Sequence, residues 1–426
     1  MVQKLPVELM RTLDEKFIGD WATFQTMRPC GALVVAGETL RTAEGALDHA
    51  AAIEHVRHVV AQWPALRMRV RPMPLGVTTP VWEACEPDLA WHVRFLDECP
   101  PERVDAVLGG AEHGLLELDR PLWVVLVVGL PDGDVAFVPQ VQHALGDGIF
   151  AMRFIEHLTA DAPFDPRETP PPEPLVSPRT AVGVLAAAFG SWWRTQGSLP
   201  AAWREYTRKS FVRRLRRTGG RILRPGRMRR QSTTPPPSRH HAFTTLELRE
   251  VKLAAREAGC SVHDALVTGA LRAVDELVAH GSGAALLVPV SRRAGTTGDE
   301  RNNISMTRVQ LPPGTERADA VATVASQVAA AASGEGGAAV EGPAPGYVSY
   351  LPWRVRPRYA GQALVRTLVL WPVLDPRHDF SVFAGSYAGT FSIAVSGTEE
   401  ATVIALRDRI AAELLAAAPA PIEVPA

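Results

Sequence analysis

The chain has little cysteine and no long apolar run. Its four cysteines, Cys30, Cys85, Cys99 and Cys260, are scattered over 426 residues, and no C-x-x-C pair occurs. This spacing argues against a disulfide framework, a zinc site or a redox motif, so we expect no metal and a reducing, cytoplasmic setting. No uninterrupted apolar stretch could span a bilayer, and the first residues lack the apolar core of a signal peptide.

Several catalytic motifs are also missing. The sequence has no G-x-S-x-G elbow, which argues against a serine hydrolase of the α/β type. It has neither a P-loop nor a G-x-G-x-x-G pattern, so nucleotide hydrolysis and hydride transfer find no support. We therefore expect an activity that needs no bound cofactor.

Charge is unevenly distributed along the chain. The net charge is −1, but residues 203–230 hold twelve Lys and Arg against one acid, Glu205. This segment therefore carries +11 and the remainder −12. A cationic segment on an acidic protein is suited to contacting anions. Nucleic acid is a poor candidate, because no recognition motif accompanies the charge.

Proline-rich runs divide the chain into three parts. Residues 163–180 and the cluster at 233–238 suit neither a helix interior nor a central strand. We therefore predict an α/β (α+β) subdomain over 1–180, a Trp- and Arg-rich linker over 181–240 and a second α/β subdomain over 241–426. The apolar content of 46% fits a soluble globular protein.

Local patterns predict several elements within these parts. Residues 123–130 and 135–142 are apolar runs around Asp132-Gly133, a dipeptide typical of a tight hairpin. Further strands are expected at 66–71, 81–85, 243–248 and 285–290, and two more in 381–396. Helices are expected after residue 148, over 249–258 and from a capping box at Ser261. His55 and His58, on a helix that ends before Pro64, are expected at the surface.

The segment His143-Ala144-Leu145-Gly146-Asp147-Gly148 has the pattern H-x-x-x-D-G. It lies between the predicted hairpin and a helical pattern, so His143 is expected where a buried strand ends and a helix begins. Ends of strands are positions at which rigid scaffolds present catalytic groups. The alternative is a histidine in a turn, with Asp147 and Gly148 capping the helix.

The chain resembles the bacterial wax ester synthase/acyl-CoA:diacylglycerol acyltransferases, within the CoA-dependent acyltransferase superfamily. The resemblance extends over nearly the whole length and keeps the family's order of motifs. Besides H-x-x-x-D-G, it rests on residues 13–17 (LDEKF), 120–123 (RPLW), 248–281, 288–293 (VPVSRR), 303–305 (NIS) and 386–389 (SYAG).

The resemblance implies two chloramphenicol-acetyltransferase-like subdomains with the active site at their interface. It implies transfer of a fatty acyl group from acyl-CoA, a co-substrate, to diacylglycerol or a long-chain fatty alcohol. His143 would be the general base that takes the proton of the alcohol and then protonates the departing CoA thiolate. The products would be triacylglycerol or wax ester, and no covalent acyl-enzyme is required.

Other positions carry two interpretations each. Asp147 is either a second catalytic group or a structural carboxylate paired with Arg292 or Arg293, as in the superfamily. Gly148 would permit the turn, a close substrate approach or an oxyanion contact through backbone N–H groups. For Trp123 and Tyr387 the choice is between a substrate contact and core packing. Asn303, in a segment with Ser305, would bind the acceptor or form a turn. His263 is expected at a helix start, with a place in the tunnel as the alternative.

Three departures from the family pattern keep other acceptors open. Gln142 replaces the first histidine of H-H-x-x-x-D-G, and it can hydrogen-bond substrate but cannot take up a proton near neutral pH. His263-Asp264 stands at the family's N-D motif, and residues 378–385 (HDFSVFAG) replace a Pro/Gly-rich segment. A specialised acceptor, such as a polyketide, sugar or amine, and a carrier-protein thioester donor remain alternatives. A lipid- or CoA-binding member without turnover is a further one.

The resemblance also gives the basic segment three interpretations. Residues 203–230 could contact an anionic membrane or lipid-droplet surface, bind CoA phosphates or form a solvated helix face. We favour the membrane, since substrate and product would be lipids. We therefore expect a cytoplasmic protein, peripherally associated with membranes or lipid droplets, as a monomer or loose dimer.

Overall fold

The computed structural model describes most of the chain in two α/β halves. The described residues are 8–19, 21–73, 79–170, 239–291, 304–333, 344–371, 373–375 and 377–416, with Gly183 and Ala186 as isolated positions. The predicted linker 181–240, including the basic segment 203–230, therefore lies almost entirely outside the described residues. No helix among the described residues is both long and apolar enough to cross a membrane.

The N-terminal half is built on a six-stranded sheet. Its strand order is β12-β13-β2-β7-β6-β5, in which β12 is Tyr359–Ala360 and β13 is Ala363–Trp371, and this half also has a small three-stranded sheet of order β1-β4-β3. The strands of this half are β1 Glu8–Leu9, β2 Cys30–Val35, β3 Met68–Arg71, β4 Val81–Ala84, β5 Val93–Leu96, β6 Trp123–Gly129 and β7 Val135–Val141. Its helices are α1 Thr12–Glu15, α2 Trp21–Thr26, α3 His49–Gln62, α4 Leu89–His92, α5 Val104–Leu108 and α6 Gly148–His157.

The central hairpin β6–β7 is buried on both faces. Every residue of both strands is buried, and the turn between them has Gly133 at φ +90°. Side chains on one face, such as Val125 and Val127, share a core cluster with residues of α3 and α6, and the alternate ones, such as Leu126 and Val128, share one with Leu108 of α5 and with Ala394. Because successive residues of a strand point to opposite faces, the continuous apolar run predicts this double burial.

The C-terminal half contains a second six-stranded sheet, of order β10-β9-β11-β14-β15-β8. Its helices enclose a separate apolar core around Val267, Leu286 and Ile393. The strands of this part of the chain are β8 His240–Glu247, β9 Ala284–Ser291, β10 Ile304–Leu311, β11 Gly346–Pro352, β12 Tyr359–Ala360, β13 Ala363–Trp371, β14 Phe380–Tyr387 and β15 Thr390–Gly397. The helices are α7 Leu248–Glu257, α8 Val262–Leu277, α9 Arg317–Ser333 and α10 Glu400–Leu415.

One strand crosses between the halves. β13 pairs antiparallel with β2, with Leu368 opposite Leu33, so residues 359–371 extend the first sheet. The predicted boundary at residue 241 therefore needs correction for this segment. The strand also contacts the second sheet, since the Ser392 hydroxyl donates to the Leu368 carbonyl at 3.0 Å. Its apolar pattern predicts a buried strand but does not identify the sheet to which that strand belongs.

Most local predictions match the structure. The hairpin, the short strands β3 and β4 and helices α6, α7 and α8 form where expected. Ser261 caps α8, because its hydroxyl accepts from the Asp264 N–H at 3.1 Å. The prediction for His55 is wrong, because its side chain is 2% exposed and its Nε2 lies 2.8 Å from the Leu158 carbonyl.

Candidate active site

The H-x-x-x-D-G segment connects a buried strand to a helix. β7 ends at Val141 and α6 begins at Gly148. Asp147 is the N-cap of α6, and its carboxylate accepts from the Phe150 N–H at 3.0 Å. Capping satisfies one of the N–H groups that a helix leaves open at its start. The turn that carries His143 is therefore fixed at both ends.

His143 is held at the surface of this turn by the N-terminal segment. Its backbone N–H donates to the Met27 carbonyl at 2.8 Å, and its ring stacks on Phe17 at 4.4 Å between centroids. The side chain is half-buried, although Gln142 and Ala144 on either side are fully buried. His143 is thus oriented by the protein and remains accessible.

Gln142 differs from the substrate-binding role expected of it. Its amide donates to the Phe17 carbonyl at 2.7 Å and accepts from the Ala144 N–H, and its side chain is fully buried. Both polar atoms are therefore used within the protein. The residue positions Phe17 and the His143 turn, and it does not face a space that a substrate could enter.

Asp147 and Gly148 have distinct places at the helix start. Asp147 is fully buried at the cap, and its predicted partners Arg292 and Arg293 lie outside the described residues. Gly148 does not have a positive φ, and a Cβ added there would meet no atom within 4 Å. The turn therefore does not require glycine, and the position faces open space.

Trp123 and Tyr387 are core residues. Trp123 is fully buried, stacks on His92 and donates its indole N–H to the Leu66 carbonyl at 2.8 Å. Tyr387 is 2% exposed, and its hydroxyl accepts from the Arg358 N–H at 2.8 Å and donates to the Val365 carbonyl at 3.2 Å. Of the two interpretations for each residue, these contacts favour packing over a substrate contact.

The acceptor-side candidates are only partly described. Asn303 lies outside the described residues, and only the backbone of Ser305 is described, paired with Val290 between β10 and β9. His263 lies in the first turn of α8, with Nδ1 3.4 Å from Asp264 Oδ1, as expected for a helix start.

An apolar cavity of about 410 Å³ lies beside the His143 turn, between the two halves. This volume includes space that is open to solvent. Three parts of the chain enclose it: the β2 and β7 ends with α6, the crossing strand β13, and strands β11 and β14. The lining residues are Pro29, Cys30, Gly31, Pro139, Val141, Gly148, Ala151, Met152, Phe154, Ile155, Leu351, Leu370, Trp371 and Phe383.

Sequence reasoning missed most of this lining. Leu351 and Phe383 belong to strands of the second sheet, and Leu370 belongs to the crossing strand. Each is an ordinary apolar strand residue, so its type gives no sign of a cavity. The helical spacing of Gly148, Ala151, Met152 and Ile155 was the only available signal, and it also fits core packing.

Cys30 lies in the cavity wall but is a poor nucleophile. Burial raises the pKa of its thiol to about 12, although Arg28 and a backbone hydrogen bond at Gly31 oppose the shift. Since the thiolate is the reactive form, the thiol is inert near neutral pH. Val141 and Gly148, at the two ends of the His143 turn, also line the cavity.

Comparisons with known proteins agree with this geometry. Residues 21–266 match the profile described as the wax ester synthase/diacylglycerol acyltransferase catalytic domain. A provisionally named diacylglycerol O-acyltransferase of Mycobacterium tuberculosis H37Rv is 33% identical over 218 residues, 47% of this chain and 45% of the relative. A second one from that strain is 31% identical over 282 residues, 59% and 56% of the two chains. The chain spans about half the length of the curated relatives it matches.

Solved structures share the fold. The wax ester synthase/diacylglycerol acyltransferase of Marinobacter aquaeolei VT8 superposes with a TM-score of 0.61 at 17% identity, over 95% of this chain and 98% of the other. The first condensation domain of the calcium-dependent antibiotic synthetase gives 0.60 at 18% identity, over 96% of each chain. The two-subdomain, chloramphenicol-acetyltransferase-like architecture is therefore confirmed. Since the profile match covers more than half of its residues, the chain belongs to the wax ester synthase/diacylglycerol acyltransferase family.

Proposed function

We propose that this protein transfers a fatty acyl group from acyl-CoA to a lipid alcohol, either diacylglycerol or a long-chain fatty alcohol. The observation that carries the proposal is the position of His143, half-buried on a fixed turn beside an apolar cavity between the halves. Membership of the family supports the same reaction class.

His143 would act as the general base. An alcohol attacks a thioester poorly unless its proton is removed as the new bond forms, and an imidazole can take up that proton near neutral pH. The alcohol oxygen bonds to the thioester carbonyl carbon, and the carbon–sulfur bond then breaks. The imidazolium returns its proton to the CoA thiolate, so the products are an ester and free CoA.

The apolar cavity would hold the acyl chain. Its lining is dominated by side chains that cannot hydrogen-bond, such as Met152, Ile155 and Phe383. Gly148, between the His143 turn and this lining, would let the thioester approach the helix start closely. Open N–H groups at a helix start are suited to stabilising the developing oxyanion.

Because these substrates would be lipids, we also expect the protein to work at a lipid surface. We propose that residues 203–230 contact an anionic membrane or lipid-droplet surface, and that the protein works as a cytoplasmic, peripherally bound monomer or loose dimer.

The test is thiol release from palmitoyl-CoA with diacylglycerol, hexadecanol or no acceptor. We expect acceptor-dependent release, and a loss of about 10²- to 10⁴-fold in kcat for His143→Ala, as for removal of a general base. His49→Ala is the matched control, because His49 is exposed and faces Asp97, and it should keep full activity.

The outcomes separate the candidate functions. If the His143→Ala variant still releases thiol from palmitoyl-CoA, the general-base role is overturned. Release with neither acceptor would favour a specialised acceptor, for which the replacement of a family histidine by Gln142 and the altered residues 378–385 give a reason. CoA and lipid binding without any release would identify a non-catalytic binder.

A further inference from the structure

Three arginines near the His143 turn hydrogen-bond only to backbone carbonyls in the described part of the chain, and Arg94 also lies over the Trp91 ring. Arg28 donates to the Gly114 carbonyl at 2.7 Å, and Arg94 donates to the carbonyls of His113 and Leu115 on either side of it. Arg239, where the second half begins, donates to the carbonyls of Thr26 and Leu374. All three side chains are half-buried.

Among the described residues, no carboxylate lies within ion-pair distance of these three guanidiniums. Asp375 interacts electrostatically with Arg239, but its carboxylate is bound by Arg377 at 2.6 Å. Glu117 interacts electrostatically with Arg94, but its carboxylate is bound by Arg120 at 2.8 Å. The buried Arg28 Nε also has no hydrogen-bond partner in the described part of the chain. Both of these acids are therefore already bound by other arginines.

Crowding and burial make this arrangement unfavourable without an anion. The pKa of Arg28 is lowered to about 10, chiefly by burial and also by the charges of Arg239 and Arg94, while Cys30 opposes the shift. Burial also lowers the pKa of Arg239 to about 10. Both groups remain charged near neutral pH, so a bound anion would relieve desolvation and repulsion together.

One stretch of chain connects the arginine cluster, the His143 turn and the cavity wall. The Thr26 carbonyl accepts from Arg239, and the next carbonyl, Met27, accepts from the His143 backbone N–H. Arg28 follows, and the chain then enters the cavity wall at residues 29–31. A ligand that contacts both the cluster and the cavity would lie along this stretch, next to the His143 turn.

We propose that Arg28, Arg94 and Arg239 form a subsite that binds the phosphate groups of the acyl donor. This donor is a pantetheine thioester that carries its phosphates at the end away from the acyl chain. Guanidinium groups bind phosphate through paired, charge-assisted hydrogen bonds, so their geometry suits this ligand. The inference rests on the proposed acyl-CoA donor and specifies which residues recognise it.

The test compares donors with and without phosphate. Steady-state kinetics would be measured with palmitoyl-CoA and with S-palmitoyl-pantetheine, which lacks every phosphate. For Arg28→Gln we expect KM for palmitoyl-CoA to rise about tenfold, as for loss of one charge-assisted hydrogen bond, with little change in kcat. Kinetics with palmitoyl-pantetheine should be unchanged, and Arg28→Lys should restore part of the affinity for palmitoyl-CoA.

Arg409→Gln is the matched control, because Arg409 is a half-buried arginine paired with Glu276 and Glu413 on α10. It should leave both donors unaffected. Equal losses on both donors in Arg28→Gln would show a purely structural role and overturn the proposal. A wild-type enzyme that uses both donors equally well would overturn it too.

Direct binding keeps the inference separate from the proposed function. CoA binding would be measured by calorimetry for the wild type, Arg28→Gln and Arg239→Gln. If no acyl transfer occurs but CoA binding is lost in both variants, the subsite stands and the proposed activity fails. If the variants lose affinity for anionic phosphatidylglycerol vesicles and keep their affinity for CoA, the cluster recognises a lipid phosphate and the proposal is overturned.

Discussion

Gln142 shows how a buried amide can serve a neighbouring catalytic candidate. Its side chain joins the Phe17 carbonyl to the Ala144 N–H, and the Phe17 ring in turn stacks on His143. The amide therefore connects the N-terminal segment to the active-site turn. A residue with this role affects the imidazole through the orientation of its surroundings.

We predict that Gln142→Ala lowers the free energy of unfolding by about 2–3 kcal/mol, since two hydrogen bonds are lost and the buried Ala144 N–H has no replacement acceptor. The kcat for acyl transfer should fall more than KM rises, because Phe17 is no longer held against His143. Urea unfolding and steady-state kinetics would measure both effects. Gln62→Ala, on the exposed side of α3, should change stability by less than about 0.5 kcal/mol. A Gln142→Ala variant that matches it would contradict the assigned role.

The sequence predicted which polar residues stand in turns and helix caps better than it predicted which side chains are buried. The turn location of His143 and the capping geometry of Asp147 follow from local patterns that the structure reproduces. The buried position of His55 could not be predicted, because its neighbours on α3 are consistent with either face. Its burial depends on the Leu158 carbonyl, which only the tertiary fold brings near.

Helix α6 is the element that links the His143 turn to the cavity. It places Gly148, Ala151, Met152 and Ile155 on one face, at the spacing of successive helical turns. The residue at its start lies beside the His143 turn, and the residues after it line the cavity wall. Substitutions along this face should therefore change the space available to an acyl chain.

We predict that Ala151→Leu shifts the preference of the enzyme towards shorter acyl chains. The larger side chain would occupy part of the cavity, so the ratio of kcat/KM for palmitoyl-CoA over octanoyl-CoA should fall about tenfold. Competition assays with the two thioesters would measure this ratio. Ala329→Leu, at an exposed position of α9, is the control and should leave it unchanged. An unaltered ratio in Ala151→Leu would place the acyl chain elsewhere.

The elements themselves were largely predictable, and one pairing was not. Apolar periodicity and turn residues locate the hairpin β6–β7 and helices α6 to α8. The pairing of β13 with β2 joins distant parts of the chain, and no local signal specifies it. The cavity wall depends on that pairing, because Leu370 and Trp371 belong to β13.

The molecule as a whole keeps several histidines neutral. Burial lowers the pKa of His55, His92, His113 and His241 to about 4. In the unfolded chain a histidine has a pKa near 6.5, so it takes up a proton at a pH where the folded form does not. These groups support the folded state fully above pH 6.5, and that contribution is lost as the pH falls towards 4.

We predict that the free energy of unfolding decreases between pH 7 and pH 5.5. In His55→Gln, which retains a donor for the Leu158 carbonyl, the decrease should be smaller by about 1 kcal/mol. Urea unfolding at a series of pH values would give both slopes, and the slope is informative even if the variant is less stable at every pH. Ala329→Leu, which removes no titratable group from an exposed position of α9, should keep the wild-type slope. Equal slopes in wild type and His55→Gln would rule out this contribution.

The crossing strand β13 also has a consequence for synthesis of the protein on the ribosome. β2 leaves the ribosome early, but its partner β13 emerges only after most of the second half has been made. Until then the growing chain carries an unpaired apolar edge, which is prone to associate with other strands. Completion of the candidate active site is thereby tied to a late stage of translation, and a nascent chain of this protein has reason to need a chaperone.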